Sequence, residues 1–384
     1  VTAVPIGFRF AAVNAGVKSR ETEKLDMGLI LCDTPATSVG VFTTNKVKAA
    51  PVQICIENIK KGSIRAILAN SGNANACTGS DGMEDARSLI NAVAESIDVS
   101  PEEILPMSTG VIGIKLPVER MIEKVQLLAE SLGDDPEPFE TSIMTTDTFP
   151  KIVSRKAGDA TVLGFAKGAG MIAPNMATML SVILTDAKIN IAQLKNIVNE
   201  TADNTFNVIT VDGDMSTNDT LIAMSSGRIE AVLDEVKDAI RDAITELAMM
   251  VVRDGEGATK LVKVIVNGAV SRDDARTAAM AVANSLLVKT ALFGADPNWG
   301  RIACALGYSG ADVNPDKIAI KINGLDVTEQ GIQAKSFNEE KVHRSLKENE
   351  IIIDINLNIG KGTFTAWTTD ISYDYVKINA EYRS

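Results

Sequence analysis

Residues 167–186 read K-G-A-G-M-I-A-P-N-M-A-T-M-L-S-V-I-L-T-D. Gly168, Gly170 and the pair Pro174-Asn175 make the first half irregular. The second half changes abruptly to the apolar run 179–184, short enough for a buried strand. Thr178 thus stands where a loop enters a strand. Working outward, strand-like and helix-like runs alternate along the whole chain, the mark of a mixed α/β architecture.

On the N-terminal side, 28–32, 52–56 and 64–69 read as strands. Ser100 followed by Pro101, Glu102 and Glu103 reads as a helix start, with proline at the first helical position. Residues 117–132 show helical spacing, with Met121, Val125 and Leu128 on one side. The clearest helix spans 230–252, where Val236, Ile240, Ile244, Leu247 and Val251 recur at threes and fours. Another begins at Ser271, with Asp273 and Asp274 at the positive end of its dipole, and ends near Gly294. Residues 261–266, 318–322, 351–357 and 364–367 read as strands.

Threonine at the head of a strand has a chemical use. If its hydroxyl attacks the Ala177 carbonyl, an ester replaces the amide and water can split the chain there. The freed α-amino group, with a pKa of ~7.7–8.0, could then act as the base for the Thr178 hydroxyl. The plainer reading of these residues alone is that Ala177-Thr178 simply begins a strand. Composition adds weight to a histidine-free scheme: the chain has one histidine, His343, in a charged stretch that reads as a solvent-facing helix. No G-x-S-x-G elbow supplies a partner serine.

The 384 residues hold 38 Lys+Arg against 50 Asp+Glu, a net charge of -12, which argues against nucleic acid and anionic membranes as partners. Cys32, Cys55, Cys77 and Cys304 are scattered, with neither zinc spacing nor a disulfide framework, so a reduced compartment is expected. No apolar run approaches the ~20 residues of a membrane span, and no signal-peptide layout is present. A cytoplasmic protein without a metal is the expectation.

Several loops are polar in ways that suggest a site. P-M-S-T-G-V-I-G (106–113) offers hydroxyls and accessible N–H groups suited to a developing oxyanion. N-S-G-N-A-N-A-C-T-G (70–79) and V-D-G-D-M-S-T-N-D-T (211–220) read as hydrogen-bonded loops that shape a site; the latter misses calcium-loop spacing. R-D-G-E-G-A-T-K (253–260) puts Glu256 in a turn, suited to capping or to reading an amine.

Together with G-V-F-T-T-N from Gly40, M-T-T-D-T from Met144, G-A-D-P-N-W-G-R from Gly294 and the terminal N-A-E-Y-R-S, these segments occur in an order that resembles the ornithine acetyltransferase family over essentially the whole chain. These are bifunctional glutamate N-acetyltransferases of arginine biosynthesis. The resemblance implies a layered α-β-β-α sandwich with a smaller second domain. It also implies self-cleavage into an α chain (1–177) and a β chain (178–384), two of each forming a heterotetramer. Thr178 would be the nucleophile, and Thr109 and Gly110 the oxyanion hole. Thr145 (or its neighbour Thr146), Lys167, Glu256, Asn379 and Ser384 would bind substrate. Acetyl would pass from N-acetylornithine to glutamate through an acetyl-threonine ester, without a cofactor. Use of acetyl-CoA as a further donor stays open, as does a self-processing amidohydrolase or aminopeptidase of the same fold. One departure is Ala169, where the family pattern has serine.

Overall fold

The computed structural model describes residues 2–19, 23–173 and 179–381. The chain divides into two compact units, Val1–Asn207 with Asp214–Val251, and Val208–Gly213 with Val252–Tyr382.

The first unit is organised by one long strand. After β1 (Phe8–Val13) comes β2 (Met27–Phe42), then β3 (Ile64–Asn70), β4 (Ile104–Ser108), β5 (Ile152–Ala157), β6 (Ala160–Lys167), β7 (Leu180–Ala187) and β8 (Thr220–Ile229). Their order is β4-β3-β2-β8-β7-β6-β5, with β1 also on β2. The register of β2 against β3 breaks between Leu31 and Ala36. Before the break β2 pairs with β1 and β3; from Thr37 onward it pairs with β8. One sheet thereby becomes two leaves joined through β2.

The side-chain alternation of strands assigns each leaf an inner and an outer face. Phe10, Ile30, Ile67 and Met107 from the first leaf share a core with Phe165, Val182, Leu184, Ile222 and Met224 from the second. Phe10 and Phe165 meet with ring centroids 5.9 Å apart. On the outer face of the first leaf, Leu29, Leu31, Ala66 and Leu68 pack with Leu89, Ile90 and Val93 of helix Gly79–Ile97. On that of the second leaf, helix Leu233–Arg253 approaches Gly164 so closely that an added Cβ would lie 2.8 Å from Leu247 Cδ1. The layers run helix, sheet, sheet, helix, as the resemblance implies.

The second unit holds β9 (Leu261–Ala269), β10 (Ala319–Ile322), β11 (Leu325–Glu329), β12 (Ile332–Gln333), β13 (Glu350–Asn356) and β14 (Gly362–Thr369), in the order β12-β11-β10-β13-β9-β14. Val262, Val264 and Val266 of β9 face Ala275, Ala279 and Val282 of helix Arg272–Asn284 in its core. Among the described residues, no helix is long and apolar enough to cross a membrane.

Several sequence expectations are corrected. Residues 52–56 are not a strand but part of helix Ala50–Asn58, with Val52, Ile54 and Cys55 all buried. So short an apolar run fits either period, and packing on β4 decides it. Ser100 opens only a 3-10 turn, Pro101–Glu103, which leads straight into β4. The 117–132 helix is two pieces, Val118–Ile122 and Val125–Glu130. The one after Ser271 is also split, because Ser285 ends Arg272–Asn284 and caps Leu286–Phe293 by accepting from Val288 N. His343 is half-buried rather than solvent-facing, its Nδ1 2.7 Å from the Ala295 carbonyl oxygen.

Candidate active site

The turn after β4 is locked by the two polar loops flagged in the sequence. Thr109 N donates to the Asn70 carbonyl at 3.0 Å, and Ser108 Oγ to Asn70 Oδ1 at 2.6 Å. Asn70 Nδ2 donates to the Asn73 carbonyl at 2.9 Å, holding its own turn closed. Asn218 comes from the second loop, and its Nδ2 donates to the carbonyls of Ser108 (2.9 Å) and Ala74 (2.7 Å). Asn70, Asn73 and Asn218 are all buried, so each amide acts as a fixed bracket and an unmade bond there would be expensive.

Gly110 has φ +127, and a Cβ on it would sit 2.4 Å from the Gly72 carbonyl carbon and 2.6 Å from Asn73 N. Only glycine fits so close to another backbone. Thr109 and Gly110 are therefore rigidly placed, each half-exposed.

Lys167, the last residue of β6, reaches this turn: its Nζ donates to Thr109 Oγ1 at 3.0 Å. An ammonium can only donate, so the Thr109 oxygen accepts, and its own proton is left to point elsewhere. That suits a hydroxyl meant to donate to a developing oxyanion.

Behind Lys167 lies a group of charges that sequence reasoning did not assign. The buried Asp147 carboxylate accepts from Lys151 Nζ at 2.6 Å, Gly168 N at 2.7 Å and Thr145 N at 2.9 Å. Burial alone would push its pKa up, but the positive charges of Lys167 and Lys151, with the bonds from Lys151 and Gly168, outweigh it and bring it down to about 2. Glu140 is fully buried beside them. One of its oxygens accepts Lys151 N at 2.9 Å, while Oε2 has no hydrogen-bond partner among the described residues. Burial pushes its pKa well above the ordinary carboxylate range, against the opposing pull of the Lys151 N–H and of the Lys151 and Lys167 charges. The signal was partly visible: Asp147 lies within M-T-T-D-T, with Lys151 four residues on.

Thr145 and Thr146 are both half-exposed, and Asp147 anchors the backbone N–H of the first. In the other unit, Glu256 accepts from Asn379 Nδ2 at 2.8 Å, which brings two expected substrate-binding residues together. Glu256 sits in a turn whose Gly257 has φ +65 and packs against the backbone of Asp374 and Tyr375. The expected nucleophile Thr178, the cleavage partner Ala177 and Ser384 lie outside the described residues.

A family model described as the ArgJ family matches residues 9–384. The chain is 49% identical to a protein of Geobacter sulfurreducens named arginine biosynthesis bifunctional protein ArgJ, over 98% of this chain and 99% of that protein. It is 46% identical to the protein of the same name from Caldanaerobacter subterraneus, over 99% of this chain and 98% of that protein. A crystal structure of the protein of that name from Bacillus halodurans matches 51% of this chain and 96% of its own, at 43% identity and a TM-score of 0.49.

Proposed function

Because the chain belongs to the ArgJ family, we propose that it is an acetyltransferase of arginine biosynthesis, moving acetyl from N-acetylornithine to glutamate. The observation that carries the reading at the site is Lys167 Nζ donating to Thr109 Oγ1, in a chain matched to the family almost end to end.

The reaction begins with maturation. The Thr178 hydroxyl attacks the Ala177 carbonyl, the peptide shifts from nitrogen to oxygen, and water hydrolyses the ester. The products are chains 1–177 and 178–384, with Thr178 as a new N-terminus. Its α-amino group then takes the hydroxyl proton as the oxygen attacks the acetyl carbonyl of N-acetylornithine. Thr109 and the Gly110 N–H stabilise the oxyanion. The tetrahedral adduct collapses, the proton passes to the departing ornithine amine, and acetyl-threonine remains. The glutamate amine attacks that ester, releasing N-acetylglutamate and restoring the Thr178 hydroxyl.

In this scheme Thr145 and Lys167 contact the substrate, Glu256 meets its amino end, and Asn379 and Ser384 hold the amino-acid portion. Two α and two β chains assemble into a cytoplasmic heterotetramer.

Denaturing electrophoresis with N-terminal sequencing tests the scheme first. The wild type should give two chains, one starting T-M-L-S-V, and form N-acetylglutamate only when both N-acetylornithine and glutamate are supplied. Thr178→Ala should give one uncut, inactive chain. A cut Thr178→Ala protein would sink the mechanism, and deacetylation without glutamate would favour a hydrolase.

A further inference from the structure

The chain around Lys167 is held on both sides by the same two residues. On one side Ala166 N donates to the Lys151 carbonyl at 3.0 Å. On the other, Gly168 N donates to Asp147 Oδ1 at 2.7 Å, and that same oxygen takes Lys151 Nζ at 2.6 Å. Lys151 and Asp147 thus close a ring of hydrogen bonds that brackets Lys167. The bracket falls where the strand ladder ends, since Lys167 pairs with Leu180 and the next residue, Gly168, turns away at φ +150. Glycine adopts that φ freely where most residues cannot, so Gly168 by itself does not fix the direction of the turn and a specific partner must. Asp147 is that partner, and its second oxygen also pins Thr145 N.

We propose that Asp147 is a positioning residue of the acetyl-transfer site: it fixes the β6 exit so that Lys167 Nζ reaches Thr109 Oγ1 and sets the direction in which the Thr109 hydroxyl donates. The inference rests on the acetyl-transfer reading and on Thr109 serving the oxyanion. The surroundings are arranged for it. Both the Asp147 carboxylate and the Lys151 side chain are shut off from solvent, so neither charge has water to fall back on. Glu140 underpins Lys151 through its backbone N–H, and Lys24 adds a further positive charge near Asp147 while donating to the Met144 carbonyl at 2.7 Å. With three donors on its two oxygens, the Asp147 carboxylate cannot rotate without breaking at least one bracket. Asp147 acts only through what it holds, which makes the inference testable by coupling.

The experiment is a double-mutant cycle on the full chain. Asp147→Ala is combined with Lys151→Met, so that the Lys151 ammonium is not left buried without the carboxylate it pairs with, and this pair is compared with Lys167→Met, with all three changes together and with Lys151→Met alone. kcat and KM for N-acetylornithine are measured with glutamate as acceptor, and thermal unfolding reports folding. The expected result is a folded Asp147→Ala/Lys151→Met protein whose kcat falls on the order of 10²-fold. The triple variant should be no slower than Lys167→Met, because both changes remove one pathway. Losses that multiply in the triple variant, or a kcat within about twofold of wild type for the pair, would overturn the inference. If the pair does not fold, Asp147→Asn, which keeps the shape, carries the same comparison with Lys167→Met. A wild type that transfers no acetyl group would overturn the functional reading and this inference with it; an active wild type with an equally active Asp147 variant overturns this inference alone.

Discussion

Replacing Gly110 with alanine should damage catalysis and stability together, and the structure sets the size of the effect. Two terms apply. Forcing a non-glycine residue to hold φ +127 costs about 1–3 kcal/mol. The new methyl would also lie 2.4 Å from the Gly72 carbonyl carbon and 2.6 Å from Asn73 N, both backbone atoms that cannot rotate aside. Overpacking of this kind costs about 1–3 kcal/mol more. Either the protein bears roughly 2–6 kcal/mol of strain, or the turn moves away from the Asn73 loop and takes Thr109 with it. Displacing an oxyanion donor lowers kcat by about 10²–10³-fold. Gly113→Ala is the control, because its φ is +79 but its Cβ would meet nothing within 4 Å. It should show only the backbone term and nearly wild-type kcat. The assay is acetyl transfer from N-acetylornithine to glutamate, read beside urea unfolding for each variant. If Gly110→Ala matches Gly113→Ala in both kcat and unfolding midpoint, the close approach to Gly72 does not govern the turn and the reasoning fails.

Glu140→Gln should change the pH dependence of stability. The folded-state pKa of Glu140 is raised, so its contribution is fully present below the unfolded value and is lost as pH rises toward the folded one. The amide does not titrate, so the variant should match wild type near pH 4 and gain on it progressively above; parallel urea midpoints from pH 4 to 8 would contradict this. Glu256→Gln should raise KM for the amino-acid substrates on the order of tenfold, since hydrogen bonds to charged groups contribute about 1.5–3 kcal/mol, and leave kcat nearly unchanged. Steady-state kinetics with N-acetylornithine and glutamate decide it, and an unchanged KM would remove Glu256 from the substrate contacts.

What could be read before the fold was known follows short-range physics. Helix 233–253 was legible because its apolar residues repeat at helical spacing over about five turns. The polar loops around Asn70 and Asn218 stood out because clustered amides and glycines have few uses except as brackets. The helix at 50–58 was misread because five residues of mixed apolar character carry no period of their own.

The sequence by itself determined the mixed α/β class, the order of the motifs and the residue types at the site, since each depends on neighbours within a few positions or on motifs carried in order. Tertiary structure alone decided that β2 folds one sheet into two leaves, that Asn218 reaches across 110 positions to hold the Ser108 carbonyl, and that Asp147 and Lys151 bracket Lys167. Those relations join residues far apart in the chain. Their energies come from bonds made out of reach of water, and no local pattern records which distant partner a buried charge or amide will find.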